Sequence, residues 1–466
     1  MVSKVPNFFV ISDRDTTTPL FAQANPPSCS RPQRGSAHAT LPKLNDGIRG
    51  SPGNPADDSF RTAASSFPHI GVVVQPHPKK SRLQQSIMSL FAYQPFKAFF
   101  VLGALALNLS RLPFWILKYA LIRQHPTWSF RQALVLRITR AFIHTVSVIR
   151  MRTPLPLTPG AEKDQFVVIK KRAEDAGKFK GPMLTHAQDV QPVDIGATWY
   201  PSPLSAQSKN EDALVVLHIH GGAYVIGDGR TEASGYLANA LLKHTPATHV
   251  LSPQYRLSTL PASKTSNPFP AALQDALTSY LYLLRTLNIP AEKIVLSGDS
   301  AGANCAIALL RYIVEYGDEV GVPQPSAALL WSPWLNPTDV TDSFMHENPH
   351  FNTDYIHPAF TAWGTRAFAG INAGPSPLAN NPYVNAMLKP FKTPVPLFVN
   401  IGGAEVLYFD GKEWAGMMEK EGNEVVLDVQ EGVCHDVYMI AKLVGFQKEG
   451  REMGKRCGEW LKHARK

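Results

Sequence analysis

The stretch IVLSGDSAG at residues 294–302 decides the fold. Its first three residues predict a strand, and residues 301–316 have the apolar spacing of a helix. Between them, Gly298 and Gly302 flank Ser300 in a GxSxG pattern. In a turn from strand to helix this pattern holds the serine in a strained backbone conformation that projects its hydroxyl above the sheet, because flanking side chains would clash. The alternative explanations are a Gly-rich phosphate loop or a plain strand–helix turn.

Short apolar runs alternate with helical stretches from about residue 165 onward. Such alternation predicts an α/β fold with a mostly parallel sheet covered by helices on both faces. We find no internal repeat. The predicted strands are 166–169, 214–219, 248–251, 293–296, 327–331, 395–401 and 425–429.

Length and composition fit one α/β catalytic domain with additions. The chain has 466 residues, of which 44% are hydrophobic, and its mean hydropathy of −0.12 excludes a polytopic membrane protein. Its four cysteines are too few for a disulfide scaffold, and none forms a CxxC pair of the kind found in zinc ribbons and thioredoxins. The cysteines are Cys29, Cys305, Cys434 and Cys457.

The positive charge of the chain is concentrated in one segment. The formal net charge is +9, but residues 79–172 carry 16 Lys and Arg against 2 acidic residues, a balance of +14, which leaves about −5 for the rest. A basic excess can indicate nucleic-acid binding. Because this one surrounds the most apolar stretch of the chain, it favours a membrane surface as partner and no nucleic acid.

Residues 1–80 have the composition of a disordered or targeting extension. Runs such as NPPS at 25–28 and SPGNP at 51–55 have no sustained apolar periodicity, so they bury too little apolar surface to offset the entropy of ordering. No apolar core follows residues 1–4, which argues against a secretory signal. Upstream sequence included by an erroneous gene assignment is the remaining alternative.

Residues 81–125 are predicted to be an apolar membrane anchor or part of a cap. Within them, residues 98–117 are long enough as a helix to cross a hydrocarbon core of about 30 Å. Arg111 and Pro113 weaken this prediction, since a central charge costs roughly 2.5–3.5 kcal/mol. The alternative buries the stretch against the catalytic domain. Basic residues on both sides leave the orientation open.

Residues 126–190 are predicted to hold cap helices and entry strands, beginning with a cationic amphipathic helix over 127–150. Such a helix lies in a membrane interface, or it packs on the enzyme body with a solvated basic face; both alternatives stay open. The apolar stripe consists of Phe130, Leu134, Ile138, Phe142 and Ile149. The basic face consists of Arg137, Arg140 and His144.

Candidate catalytic residues follow from their order along the chain. Where a GxSxG serine follows a strand in an α/β sheet, the acid and then the histidine come later. His435 is the histidine placed after the last predicted strand, and Glu405 is the first carboxylate after the strand at 395–401. Asp410 is the alternative acid. The acid would hold the imidazole tautomer after Ser300 gives up its proton.

The sequence HGGA at 220–223 follows the second predicted strand. Its glycines allow close approach of the backbone, so Gly221 and Gly222, together with Ala301, are candidate N–H donors to a developing oxyanion. Each such donor is typically worth about 3–4 kcal/mol in the transition state. His220 is expected to order this loop rather than to transfer protons. A simple glycine turn is the alternative.

Together these motifs resemble the hormone-sensitive-lipase-like branch of the α/β-hydrolases, which includes arylacetamide deacetylases and fungal esterases, over about residues 190–450. Asp299 lies within the shared GDSAG, and Ala223 replaces the last glycine of HGGG. Glu405 stands where the family's DPL stretch has aspartate. The shared motifs are GDSAG at 298–302, HGGA at 220–223, YRL at 255–257, FPAA at 269–272 and SPW at 332–334.

The resemblance implies an α/β-hydrolase catalytic domain over 191–466. It also implies a helical cap from the N-terminal residues, with a second contribution from about 340–375. Aromatic residues in the latter favour an apolar acyl or alcohol group, unless they are ordinary core. They are Phe344, Phe351, Tyr355, Phe360, Trp363 and Phe368.

The resemblance further implies a serine hydrolase that cleaves a carboxylic ester, of apolar, sterol or secondary-metabolite type, through an acyl-enzyme. It implies no metal and no cofactor. The alternatives are a ligand-binding protein on the same fold, as in the plant gibberellin receptors that lack the histidine, or an amide or thioester hydrolase. The protein is expected to be membrane-associated, with the endoplasmic reticulum as the candidate organelle and the cytoplasm as the alternative location. The oligomeric state stays open.

Overall fold

The computed structural model describes most of the chain from Ser89 onward. The predicted extension at 1–80, and with it Cys29, lies outside the described residues, as does Phe344. The described residues are 89–186, 188–204, 213–338, 345–370 and 378–464.

An eight-stranded sheet forms the centre of the catalytic region, in the order β1-β2-β4-β3-β5-β6-β7-β8. The β1–β2 and β2–β4 pairs are antiparallel and the other five pairs are parallel. The prediction of a mostly parallel sheet is therefore confirmed. The strands are β1 (Phe166–Ile169), β2 (Ile195–Tyr200), β3 (Val215–Ile219), β4 (His249–Gln254), β5 (Ile294–Asp299), β6 (Ala327–Trp331), β7 (Leu397–Gly402) and β8 (Val425–Gln430).

Helices flank this sheet. Strands β3, β5, β6 and β7 are buried along their whole length, which explains why they are near-continuous apolar runs. The helices of eight or more residues are α1 (Phe96–Leu121), α2 (Phe130–Val148), α3 (Thr231–His244), α4 (Ala271–Leu281), α5 (Ala301–Val320), α6 (Pro358–Phe368), α7 (Tyr408–Lys420), α8 (Val437–Val444) and α9 (Gln447–Ala464).

Strand β2 is the one strand that the sequence analysis missed. All six of its residues are buried, and it pairs with both neighbours in antiparallel fashion. Its sequence, IGATWY, mixes Gly196 and Thr198 into the apolar run, which hides the strand pattern. Gly196 is needed because a Cβ there would lie 2.5 Å from the ring of Phe166 on β1.

Helix α1 presents most of its apolar side chains outward. Among its residues only Trp115 and Tyr119 are buried, whereas Phe99 is 68% exposed and Leu102 is 63% exposed. In the described part of the chain, it is the one helix whose length and composition suit a membrane crossing. The alternative, in which residues 98–117 are buried against the catalytic domain as part of a cap, therefore does not fit this structure.

Helix α2 turns part of its basic face toward the protein, whereas the sequence predicted that this face would point to solvent. Arg140 is only 7% exposed, and its Nη1 donates to the carbonyl oxygen of Asp354 at 2.7 Å and to that of Phe351. These two acceptors explain how a charged face turns inward. The expectation of a solvated basic face is wrong for Arg140. The exposed apolar side chains of the helix are Phe130, Ile138 and Phe142.

The first turn of α2 is fixed to the catalytic region. Ser129 and Gln132 form a reciprocal capping box at the start of the helix. The indole of Trp128 donates to the carbonyl of Gly432, and the side chain of Gln132 donates to the carbonyl of Gly445 at 3.1 Å. The two carbonyls precede and follow α8, so α2 is attached on both sides of that helix.

Candidate active site

The turn between β5 and α5 places Ser300 at φ 51° and ψ −116°, a conformation that is strained for a residue with a side chain. A Cβ at Gly298 would lie 2.3 Å from the carbonyl oxygen of Gly302, and a Cβ at Gly302 would lie 2.0 Å from that of Ile219. Both flanking positions thus require glycine. The tight strand–turn–helix connection that the sequence predicts is present.

His435 and Glu405 lie side by side where β8 and β7 end. Nδ1 of His435 is 3.2 Å from Oε2 of Glu405, and both side chains are buried. Asp410, the alternative acid, lies instead in the first turn of α7. The structure therefore brings Glu405 to the histidine.

The other ring nitrogen of His435 has a partner that the sequence analysis did not identify. Nε2 lies 3.0 Å from Oδ2 of Asp436, whose backbone is left-handed at φ 48° and whose N–H donates to Oγ of Ser332 at 3.1 Å. Among the described residues, no hydrogen bond joins Ser300 to His435. The adjacent His-Asp pair in the sequence was the signal that could have found Asp436.

The two carboxylates control the charge of His435. Burial alone lowers the pKa of this imidazole, but Asp436 and then Glu405 outweigh it and raise the pKa well above its ordinary value. Burial also raises the pKa of Asp436, and the positive charge of His435 opposes this shift, so that the two side chains compete for one proton. This arrangement favours the imidazolium form, which cannot accept a proton.

A third buried carboxylate, Asp354, is also one that the sequence did not predict, because no motif surrounds it. Its Oδ2 accepts from the N–H of Val406 at 2.8 Å and its Oδ1 from that of Ile356 at 3.2 Å. Burial raises the pKa of Asp354, His435 opposes this shift and Glu405 adds to it. Asp354 therefore fixes the backbone next to Glu405.

The loop after β3 offers a different set of amides from the predicted one. The N–H of Gly221 donates to Oδ1 of Asp299 at 2.9 Å, so this amide is not free to bind an oxyanion, and the prediction for Gly221 conflicts with the structure. In the described part of the chain, the amides of Gly222, Ala223 and Ala301 have no acceptor. Ala223, rather than Gly221, therefore completes the set of free donors.

Asp299 is held by a histidine within β3. Nε2 of His218 lies 3.0 Å from Oδ1 of Asp299, with both side chains 1% exposed, and Nδ1 of His218 lies 3.0 Å from Oγ of Ser297. His218 was not singled out from the sequence because it lies inside an apolar strand. It fixes the carboxylate that in turn holds the start of the glycine loop.

His220 has the contacts of an ordering residue. Its Nδ1 lies 2.7 Å from the carbonyl oxygen of Gly221, and its ring stacks on Tyr255 at 4.2 Å. The hydroxyl of Tyr255 donates to the carbonyl oxygen of His220 at 3.0 Å. Burial lowers the pKa of His220, which favours the neutral ring.

Helix α6 packs directly on this loop. The ring of Phe368 stacks on Tyr224 at 3.8 Å, the hydroxyl of Tyr224 donates to Asn304 on α5 at 2.7 Å, and a Cβ at Gly364 would lie 2.6 Å from the carbonyl oxygen of Ala223. The aromatic residues that were predicted to contribute to a cap therefore pack as part of the hydrophobic core. The buried aromatic residues of this region are Tyr355, Phe360, Trp363 and Phe368.

Three cavities of about 340, 560 and 450 Å³ lie elsewhere in the structure, and Ser300, Glu405 and His435 line none of these three. Ser300 itself is 8% exposed. Among the described residues, no group of three or more His, Cys, Asp or Glu side chains is arranged to hold a metal ion.

Comparison with known families identifies the domain that contains this site. The sequence model of a family described as an α/β-hydrolase fold matches residues 216–439, a range that includes Ser300, Glu405 and His435. Residues 216–439 form an α/β-hydrolase domain. The resemblance to α/β-hydrolases is thereby confirmed for residues 216–439.

Relatives of the α/β-hydrolase domain are named as esterases. The chain is 26% identical over 276 residues to an acetyl-hydrolase of Streptomyces hygroscopicus, covering 59% of this chain and 84% of the relative. It is 28% identical over 257 residues to the esterase LipU of Mycobacterium tuberculosis, covering 53% and 77%. The predicted enzyme class, an esterase-type α/β-hydrolase, is confirmed.

The fold of the domain is found in solved structures. The crystal structure of an esterase/lipase from an uncultured bacterium superposes with a TM-score of 0.50 at 22% identity, covering 72% of this chain and 99% of that one. At this identity the match supports the fold alone. The α/β-hydrolase fold predicted from the sequence is confirmed.

Proposed function

We propose that the chain hydrolyses carboxylic esters through a triad of Ser300, His435 and Glu405. The observation that carries this proposal is the 3.2 Å contact between Nδ1 of His435 and Oε2 of Glu405, formed beside the strained turn that carries Ser300. A carboxylate at Nδ1 holds the imidazole tautomer whose Nε2 accepts the proton of the nucleophile.

The reaction has two halves. Oγ of Ser300 attacks the ester carbonyl while Nε2 of His435 takes its proton, and His435 then protonates the leaving alcohol. Water repeats the sequence on the acyl-enzyme and releases the acid. Before the first half, Nε2 must give up the proton that it shares with Oδ2 of Asp436 and turn to Ser300, because only a neutral imidazole can act as the base.

The oxyanion of each tetrahedral intermediate would be held by the amides of Gly222, Ala223 and Ala301. The three amides have no acceptor among the described residues, and each donor of this kind is typically worth about 3–4 kcal/mol in the transition state. Asp299, through its bond to the Gly221 N–H, positions the loop that presents two of them.

The substrate class is an ester with a short acyl group and an apolar alcohol. The name of the Streptomyces relative, an acetyl-hydrolase, supports the acyl size, and so does the burial of Ser300, which is only 8% exposed. Acetates of sterols and secondary metabolites fit this class, because an apolar alcohol suits an enzyme that is attached to a membrane through α1.

The place of reaction is proposed to be a membrane surface. Helix α1 has the length and composition of a membrane-crossing segment and exposes most of its apolar side chains, while the segment around it is strongly basic. Insertion of α1 into a bilayer would remove this apolar surface from water.

Turnover of p-nitrophenyl esters of rising acyl length tests the proposal, with Ser300→Ala as the control. We expect the highest kcat/KM for acetate or butyrate and no turnover by the variant. A protein that only binds its ligand would turn over no ester in the series. Preferred cleavage of the matching anilides would indicate an amide hydrolase instead.

A further inference from the structure

A positively charged cavity lies between the end of α1, the middle of α2 and the segment at 351–357. It has a volume of about 560 Å³, within the range of roughly 300–1,000 Å³ that is typical of small-ligand sites. Acidic residues are absent from its described lining. We call it the cationic pocket and define it by Lys118, Arg123, Arg137 and Arg140.

The Lys and Arg side chains of the cationic pocket have no carboxylate ion pair within the described residues. Arg140 is more than nine-tenths buried, and while its Nη1 donates to two backbone carbonyls, its Nη2 is buried with no acceptor. A buried guanidinium N–H group without a partner is costly, so an acceptor from outside the chain would stabilise it.

Arg137 is held in place for the same task. Its guanidinium carbon lies 4.5 Å over the ring of Trp115, which fixes the plane of the group and leaves its N–H edge for a ligand. Burial lowers the pKa of Arg137. Burial also lowers the pKa of Arg140 to about 10, which Asp354 opposes and Arg137 reinforces. A bound anion would reverse these shifts.

We infer that the cationic pocket binds the phosphate-ester headgroup of an anionic lipid. A phosphate monoester offers up to two negative charges and three acceptor oxygens, which suit several fork-shaped guanidinium donors better than a single carboxylate does. The exposed apolar side chains of Phe114, Leu117 and Leu121 lie within one helical turn of Lys118. The acyl chains of the lipid would lie along them.

The pocket is connected to the candidate active site through one residue. Arg140 holds the carbonyl of Asp354, and the side chain of Asp354 accepts from Val406, the neighbour of Glu405. Arg140 is therefore also a positioning residue for the acid, so its substitution does not test the pocket cleanly. Arg123 and Arg137 have no such contact and serve as the test positions.

The test is isothermal titration calorimetry on the full-length Ser300→Ala protein in micelles of an uncharged detergent, with dioctanoyl phosphatidic acid as the probe. The inactive variant separates this inference from the proposed esterase mechanism. We expect one saturable site per chain, with affinity that falls as salt rises. Arg137→Gln and Arg123→Gln should each weaken binding by about tenfold. Arg131→Gln, on α2 but outside the pocket, should change it by less than about twofold.

Four results would overturn the inference. Equal affinity for dioctanoyl phosphatidylcholine would show that the apolar face of α1, and not the charge, binds the lipid. Equal affinity for inorganic phosphate would assign the pocket to a free phosphate rather than to a lipid. An equal loss in Arg131→Gln would show diffuse attraction, and unchanged binding in folded Arg123→Gln and Arg137→Gln would remove the pocket from the interaction.

Discussion

Nε2 of His435 lies 3.0 Å from Oδ2 of Asp436, the next residue in the chain. Nε2 is the nitrogen that would take the proton of Ser300. While it contacts Asp436, it cannot accept that proton, so the contact must break before the reaction begins. The left-handed backbone of Asp436, at φ 48°, turns its side chain back to its neighbour. Removing the carboxylate charge should therefore make the base available more easily.

We expect Asp436→Asn to extend activity to lower pH. Asp436 contributes to raising the pKa of His435, and the base must be neutral, so kcat/KM rises as pH rises through that pKa. Without the charge the pKa falls, and the acid limb of the pH profile should move to lower pH. Asparagine tolerates the left-handed backbone.

The measurement is kcat/KM for an uncharged ester between about pH 5 and pH 9. Asp410→Asn, which removes a carboxylate in the first turn of α7, is the matched control and should keep the wild-type profile. A uniform loss of activity in Asp436→Asn at every pH would mean that the carboxylate assists catalysis.

Ser300→Ala and His435→Ala should each lower kcat by several orders of magnitude, and the double variant should lose little more. Members of a triad act as one unit, so removing the second residue lowers kcat little further once the first has been removed. Steady-state kinetics on p-nitrophenyl acetate measure this, with circular dichroism to verify folding. Near-wild-type turnover by His435→Ala would remove this histidine from the mechanism.

Glu405→Gln should cost more activity than Asp410→Asn. An amide nitrogen opposite Nδ1 of His435 favours the wrong imidazole tautomer, for which losses on the order of 10⁴ in kcat are typical of serine enzymes. Asp410 lies in the first turn of α7, where its negative charge interacts favourably with the helix dipole. If the ranking were reversed with both proteins folded, Asp410 would be the acid.

Gly222→Ala and Ala223→Gly should have opposite outcomes. Gly222 has φ +103°, and a Cβ there would lie 2.2 Å from the carbonyl oxygen of Ile226, so alanine should destabilise the fold by more than about 1 kcal/mol and lower kcat. Ala223 has φ 52°, which glycine adopts without strain, so Ala223→Gly should stay within about 1 kcal/mol of wild type. Thermal unfolding together with kcat decides this, and a tolerated Gly222→Ala would contradict the proposed oxyanion loop.

Local sequence patterns were enough to predict most of the sheet and the strained turn at Ser300, because those depend on apolar runs and on glycines that no other residue can replace. The partners of the site were harder to find. His218, Asp354 and Asp436 acquire their roles from contacts between segments far apart in the chain or from backbone geometry, as when Asp354 reaches the N–H of Val406. The inward orientation of the basic face of α2 was missed for a similar reason. The groups that accept hydrogen bonds from Arg140 are backbone carbonyls, which cannot be recognised from the amino-acid sequence.

The membrane proposal predicts that charge on the outer face of α1 releases the protein from membranes. Leu105 and Leu109 are 54% and 57% exposed and lie one turn apart near the middle of the helix. Leu105→Glu/Leu109→Glu places charges where a bilayer core would oppose each by roughly 2.5–3.5 kcal/mol. In water these exposed positions tolerate glutamate, so the fold and ester hydrolysis should be retained.

Carbonate-wash fractionation of the full-length protein, beside its esterase activity, measures this. We expect wild type in the membrane pellet and the double variant in the supernatant, active. Leu388→Glu/Val426→Glu, at exposed apolar positions of the catalytic region, is the matched control and should stay in the pellet, because these side chains lie outside α1. Removal of residues 1–122 should likewise release active enzyme, although it deletes Trp115 and with it the contact with Arg137. Wild-type protein wholly in the soluble fraction, or a double variant that aggregates, would show that α1 packs against protein and not lipid.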